Sequence, residues 1–99
     1  MRLPTDYSKF HETLSGKNPP IKWPEVLKAL WYDAKGDWHA AHDIVDGMAL
    51  ATAEWVHAYL HRKEGDEWNA GYWYRRAGKP FPKISLEEEH KEIVNSILI

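Results

Sequence analysis

The sequence predicts an all-α protein: two tandem antiparallel helical hairpins, with a short helix before them and another after. Three observations carry that reading. Glycines stand at the ends of runs with helical spacing, Gly36, Gly47, Gly65 and Gly78 among them. The β-branched residues and alternation that strands require are scarce outside the carboxyl end. Finally, a Gly-Asp pair occurs twice, at 36–37 and at 65–66, each time opening a run rich in aromatics and alanine. A glycine that leaves one helix and an aspartate that caps the next make a short chain reversal.

The elements follow in order. A short helix is expected over 6–14, capped by Thr5 or Asp6 and followed by Gly16. Pro19 and Pro20 make "SGKNPPIKWP" a loop, since proline lacks the donor a helix interior needs and restricts the residue before it. Pro24 suits the first helical position of a helix running to about Lys35, with Val26, Leu27, Leu30 and Trp31 on its apolar face. Asp37 caps a helix over 38–46, so the first hairpin spans about 24–47. The second, about 53–78, holds a helix over 53–64 and another over 67–77 capped by Asp66. Ser85 and Glu88 form a capping box for a last helix over 86–98.

Shifting 24–48 by 29 positions superposes Ala29 on Ala58, Gly36 on Gly65, Asp37 on Asp66 and Ala41 on Ala70. The second hairpin resembles a tetratricopeptide or Sel1-like repeat on Gly65, Asp66, Ala70, Tyr74, Ala77 and Pro82. The period of 29, Ala58 in place of the usual glycine, and Val45 and Met48 in the first hairpin depart from that family. What the resemblance implies is a stack of helical hairpins that binds protein or peptide. The segment "WVHAYLHRKEGDEWNAGYWYRRAG" also resembles small bacterial and fungal proteins with no role to carry over. Two hairpins fall short of the roughly three repeats a solenoid needs. The flanking helices are therefore expected to cap the stack, and the apolar tail "IVNSILI" offers a homodimer as the alternative.

Bulk composition narrows the functions. Ninety-nine residues make one domain, and 43% hydrophobic content is enough to fold. A net charge of −2 gives no general attraction to nucleic acid or anionic lipid, so nucleic acid ranks third among partners. The absence of cysteine excludes a disulfide framework and thiolate chemistry and fits a cytoplasmic protein, expected to be complete as written. No apolar run approaches the ~20 residues of a membrane span, and "MRLPTDYSKF" lacks a secretory signal.

Two sets of residues could carry function. On the helix after 53, Glu54, His57, His61 and Glu64 share one side; on the helix before it, His39, His42, Asp43 and Asp46 share another. A carboxylate and imidazoles at such spacing can present ligands to one ion, giving a candidate metal set of His42, Asp46, Glu54, His57 and His61. The same histidines read first as buried groups bonded to Asp43, Asp46 or a tyrosine, since helix packing would place them inside, and that reading takes precedence over the metal one. Without a metal they offer acid–base groups for a small enzyme, but no nucleophile accompanies them. The second set is Trp68, Tyr72, Trp73, Arg75 and Arg76 on the fourth helix, where aromatics and arginine make an interaction surface. Its structural counterpart has these aromatics in the core and the arginines paired with Glu87–Glu89, while "LEEEHKE", His11 and His90 read as solvated. The reading that follows is a protein- or peptide-binding, self-associating helical module, with a metal-binding protein or small His/carboxylate enzyme as the rival.

Overall fold

The computed structural model describes residues 3–99. Among them every regular element is helical: α1 Tyr7–Glu12, α2 Glu25–Ala34, α3 Trp38–Val45, α4 Ala51–Lys63, α5 Glu67–Ala77 and α6 Leu86–Leu98. A single 3-10 turn, Thr13–Ser15, follows α1. There the Thr13 hydroxyl donates to the Phe10 carbonyl at 2.6 Å and Ser15 to Glu12 at 3.1 Å, so the expected helix over 6–14 ends as a tightened turn. Asp6 is the α1 cap, accepting from Lys9 N at 2.9 Å.

Both Gly-Asp reversals form, and they form alike. Gly36 and Gly65 have φ of 86° and 87°, a left-handed conformation that a Cβ would strain. In the first, Gly36 N reaches Asp33 O and Asp37 N reaches Tyr32 O, each at 2.9 Å. In the second, Gly65 N reaches Arg62 O at 3.1 Å and Asp66 N reaches His61 O at 2.9 Å. Asp37 and Asp66 then accept from Ala40 N at 3.0 Å and Asn69 N at 3.2 Å. Two orphan carbonyls and one orphan amide are satisfied in each turn by the same register. As a result α2 packs chiefly on α3, and α4 on α5.

Three details differ from the sequence reading. Pro24 is the N-cap of α2, not its first helical residue: it has ψ 144°, and its carbonyl accepts from Lys28 N at 3.1 Å. Helix α4 starts at Ala51, two residues before the expected 53, because Leu50 O already accepts from Glu54 N at 2.9 Å. Ser85 caps α6 by accepting from Glu88 N at 3.1 Å, but the Glu88 carboxylate returns to the Ser85 hydroxyl at 3.3 Å. The box is closed through the side chain.

The flanking helices do not sit at opposite ends. Helix α6 lies across α4 and α2, and α1 packs on α6, where the Tyr7 hydroxyl meets His90 Nδ1 at 2.8 Å. Ile93 and Val94 join the core and Ile97 and Leu98 pack against it, so the apolar tail that prompted a homodimer is largely used within the chain. Glu89 and His90 are buried too, against the solvated reading of "LEEEHKE".

Helix α4 is the axis of this arrangement. Every residue from Ala53 to Leu60 is buried, and α2, α3, α5 and α6 surround it. Its polar residues are accordingly paired. Tyr59 donates to Asp33 at 2.8 Å, Lys63 to Asp33 at 2.8 Å, and Arg62 to Glu89 at 2.8 Å. The Glu89 carboxylate, 1% exposed, also accepts from Trp55 Nε1 at 3.1 Å and Tyr74 OH at 2.6 Å. Burial and that carboxylate push the Tyr74 phenol up, so it stays a donor. Removing one partner of a buried pair leaves the other uncompensated, at roughly 3–5 kcal/mol. Glu89→Gln, which keeps the shape but not the charge, is therefore expected to lower unfolding free energy by about 3 kcal/mol in a urea titration.

Candidate metal centre

Three histidines from the two central helices meet. The α3 cap fixes its first turn so that Trp38 and His42 face α4, and Trp38 Nε1 donates to Leu60 O at 2.8 Å. His57 and His61 lie one turn apart on α4, hence on one face. His42 Nε2 and His57 Nε2 are 3.1 Å apart, and His42, His57 and His61 each bring one ligand nitrogen within 4.8 Å of the others. His57 is 3% exposed, while His42 and His61 are half-buried.

Aromatic rings hold the imidazoles in place. Trp38 stacks on His42 with centroids 4.8 Å apart and planes 10° from parallel. Trp73 of α5 stacks on His57 at 4.0 Å and 12°. His57 and His61 stack at 4.9 Å, and His42 meets His57 edge-on at 4.7 Å. These contacts limit ring rotation, which is the freedom a preorganised ligand set must lose.

Partners fix part of the proton arrangement. His61 Nδ1 lies 2.7 Å from Glu64 Oε2, an acceptor, so Nδ1 carries the hydrogen and a neutral His61 keeps its lone pair on Nε2. Between His42 and His57 one Nε2 donates and the other accepts. Burial, and then the neighbouring His42 and His61, lower the His57 pKa to about 4, with Asp46 opposing. His57 is thus neutral at pH 7, the form in which imidazole ligates a metal.

The rest of the expected metal set separates from this cluster. Glu54 is buried with its Oε2 3.1 Å from Arg76 Nε and Nη2. That ion pair turns it toward α5, because a buried carboxylate takes the nearest cation. Asp46, the C-cap residue of α3, lies near enough to act electrostatically on His57, yet its oxygens fall outside the 4.8 Å group. His39 and Asp43 are exposed. Trp38 carries no signal in the sequence, and Trp73, expected on a surface, lies in the cluster; spacing alone does not reveal a ring stacked across a helix interface.

The aromatic–arginine face of α5 is split. Trp68 is 76% exposed and Tyr72 37%, stacked 6.4 Å apart. Trp73 belongs to the histidine cluster, and Arg76 bridges Tyr72, Trp73 and Glu54. Neither α5 arginine takes the expected pairing with Glu87–Glu89 among the ion pairs found; Glu89 takes Arg62 instead.

A second polar group lies where α1, α2, α4 and α6 meet. Asp33, Tyr59 and His90 are nearly fully buried along a cleft of about 320 Å³. His90 Nε2 reaches the Leu30 carbonyl at 3.0 Å, so Nδ1 accepts from Tyr7. No helix among the described residues is long and apolar enough to cross a membrane. Compared with protein-family models, curated proteins and solved structures, the chain matches none.

The depressed His57 pKa fixes the sign of a pH dependence. Below the ordinary histidine pKa of ~6.5 the unfolded chain takes up a proton that folded His57 refuses until pH 4 is approached. Stability is therefore full above pH 6.5 and falls as pH drops from 6.5 toward 4, by up to about 3 kcal/mol from this group. His90, also lowered by burial, acts in the same direction. Urea unfolding at pH 7.5, 6, 5 and 4 should show this fall, and His57→Gln should flatten it.

Proposed function

We propose that the chain binds a divalent transition-metal ion through His42, His57 and His61. One observation carries this reading. The 3.1 Å between His42 Nε2 and His57 Nε2 approaches the spacing of two ligands on one tetrahedral ion. With metal–nitrogen bonds of ~2.0–2.1 Å that spacing is about 3.3–3.4 Å. The third imidazole lies within reach of the same point. An all-imidazole donor set suits zinc, copper or nickel and disfavours magnesium and calcium, which take oxygen ligands. The burial and ring stacking that surround the nitrogens support a retained ion over a passing surface contact.

Protein purified without a polyhistidine tag should carry, or take up, close to one zinc per chain by elemental analysis. Zinc at about 100 times its dissociation constant adds ~2.7 kcal/mol to stability. For a domain of this size that raises the melting midpoint by roughly 10–20 °C. His57→Gln and His61→Gln should each remove the zinc-dependent part of that rise. A midpoint that does not move with zinc, copper or nickel overturns the reading.

A second reading rests on the exposed α5 aromatics: a protein- or peptide-binding module built of tetratricopeptide-like hairpins. Trp68 at 76% exposure, stacked on Tyr72, is the observation favouring it. Trp68→Ala should leave the melting midpoint unchanged but abolish retention of a partner captured by the unmodified chain. Retention undiminished in Trp68→Ala removes Trp68 from any such surface.

A further inference from the structure

Helix α4 ends in a carboxylate that, among the described residues, makes no ion pair across the fold. Glu64 is its C-cap residue, with φ −83° and ψ 0°, and its side chain reaches back three residues to His61. There Oε2 takes the His61 Nδ1 hydrogen at 2.7 Å. The same position in the other Gly-Asp reversal, 29 residues earlier, is Lys35. Its ammonium crosses instead to the carbonyls of Leu14 at 2.7 Å and Gly16 at 3.3 Å. One turn geometry thus serves two different tasks.

Resting on the metal reading above, we propose that Glu64 is a positioning residue for the bound ion. It holds the His61 ring in the tautomer whose Nε2 lone pair is left for the metal. The physical ground is general. A ligating imidazole that donates its other N–H to a carboxylate is fixed in tautomer and orientation and is made more basic. His61 needs such a partner more than its neighbours do. His42 and His57 each stack against a tryptophan, whereas His61 meets Trp38 only edge-on, at 6.0 Å and 67°.

A rival use of Glu64 is as a ligand itself. His61, Glu64 and Asp66 also bring one ligand atom each within 4.8 Å, so a second ion could replace the Nδ1 hydrogen. Asp66 opposes that. Its Oδ1 accepts from Asn69 N at 3.2 Å and its Oδ2 from Asn69 Nδ2 at 2.6 Å, the cap on which α5 begins. Those bonds commit the Asp66 side chain to the α5 cap, with which ligation of an ion would compete. Glu64 is left with the proton of His61, not with a second metal.

The test is zinc titration of the full chain and of Glu64→Gln against a chromophoric chelator, with metal-free melting curves and imidazole ¹⁵N spectra alongside. The expected result is one zinc per chain in both proteins, with affinity weakened roughly 10–100-fold in Glu64→Gln. Metal-free melting should be unchanged, and His61 should lose its preference for the Nδ1–H tautomer. Glu64→Asp, which keeps the charge, should recover part of the affinity. Equal affinities in the two proteins overturn the inference while leaving the three-histidine site standing. Two zincs per chain, reduced to one in Glu64→Gln, overturn it in favour of direct ligation. No zinc bound by the unmodified chain overturns the metal reading and this inference with it.

Discussion

A helix buried along eight consecutive residues while carrying a glutamate and a histidine imposes the constraint on which the rest of this structure depends. An ionisable group taken out of water must be paired, hydrogen-bonded or neutral. Helix α4 meets that demand differently on each side. Glu54 takes Arg76 from α5, and His57 is neutral beside His42 from α3. Near its carboxyl end, Arg62 takes Glu89 from α6 and Lys63 takes Asp33 from α2. Each neighbouring helix is thus positioned by apolar contact and also by at least one polar bond to α4. Apolar packing alone tolerates sliding; a hydrogen-bonded partner does not.

The histidine cluster is one outcome of that demand, and its position follows from the reversals. Because Gly36–Asp37 and Gly65–Asp66 close with the same hydrogen bonds, the two helix pairs have matching exits, yet the residues lining the cluster do not repeat. Shifted by 29, His42 corresponds to Gly71, His57 to Lys28 and His61 to Tyr32. The turn geometry recurs and the site does not.

Much of the fold was readable from local chemistry. The Asp37, Asp66 and Ser85 caps and the glycine exits are decisions made within four or five residues, and all were visible in sequence. So was the grouping of His57 with His61, a matter of helical spacing. What spacing could not supply was the choice among partners. Glu54 and His57 share a face of α4, but Arg76 and His42 arrive from different helices and draw them apart. Glu89 and His90 sit in a strongly charged run that reads as solvent-facing. Only the arrival of Arg62, Trp55 and Tyr74 around one, and of Tyr7 and Leu30 around the other, accounts for their burial. The stacking of Trp38 and Trp73 likewise depends on where three helices cross.

The junction between α3 and α4 has a dynamic consequence. Helix α3 packs far more on α2 than on α4, and its named polar links to α4 are the Trp38 indole bond and the His42–His57 pair. Such a seam is where a small domain separates into units that open independently, seen as unequal protection of backbone amides from solvent exchange. An ion shared by His42 of one unit and His57 and His61 of the other would fasten that seam. The α3 amides would then exchange at the rate of α4, and two opening events would become one.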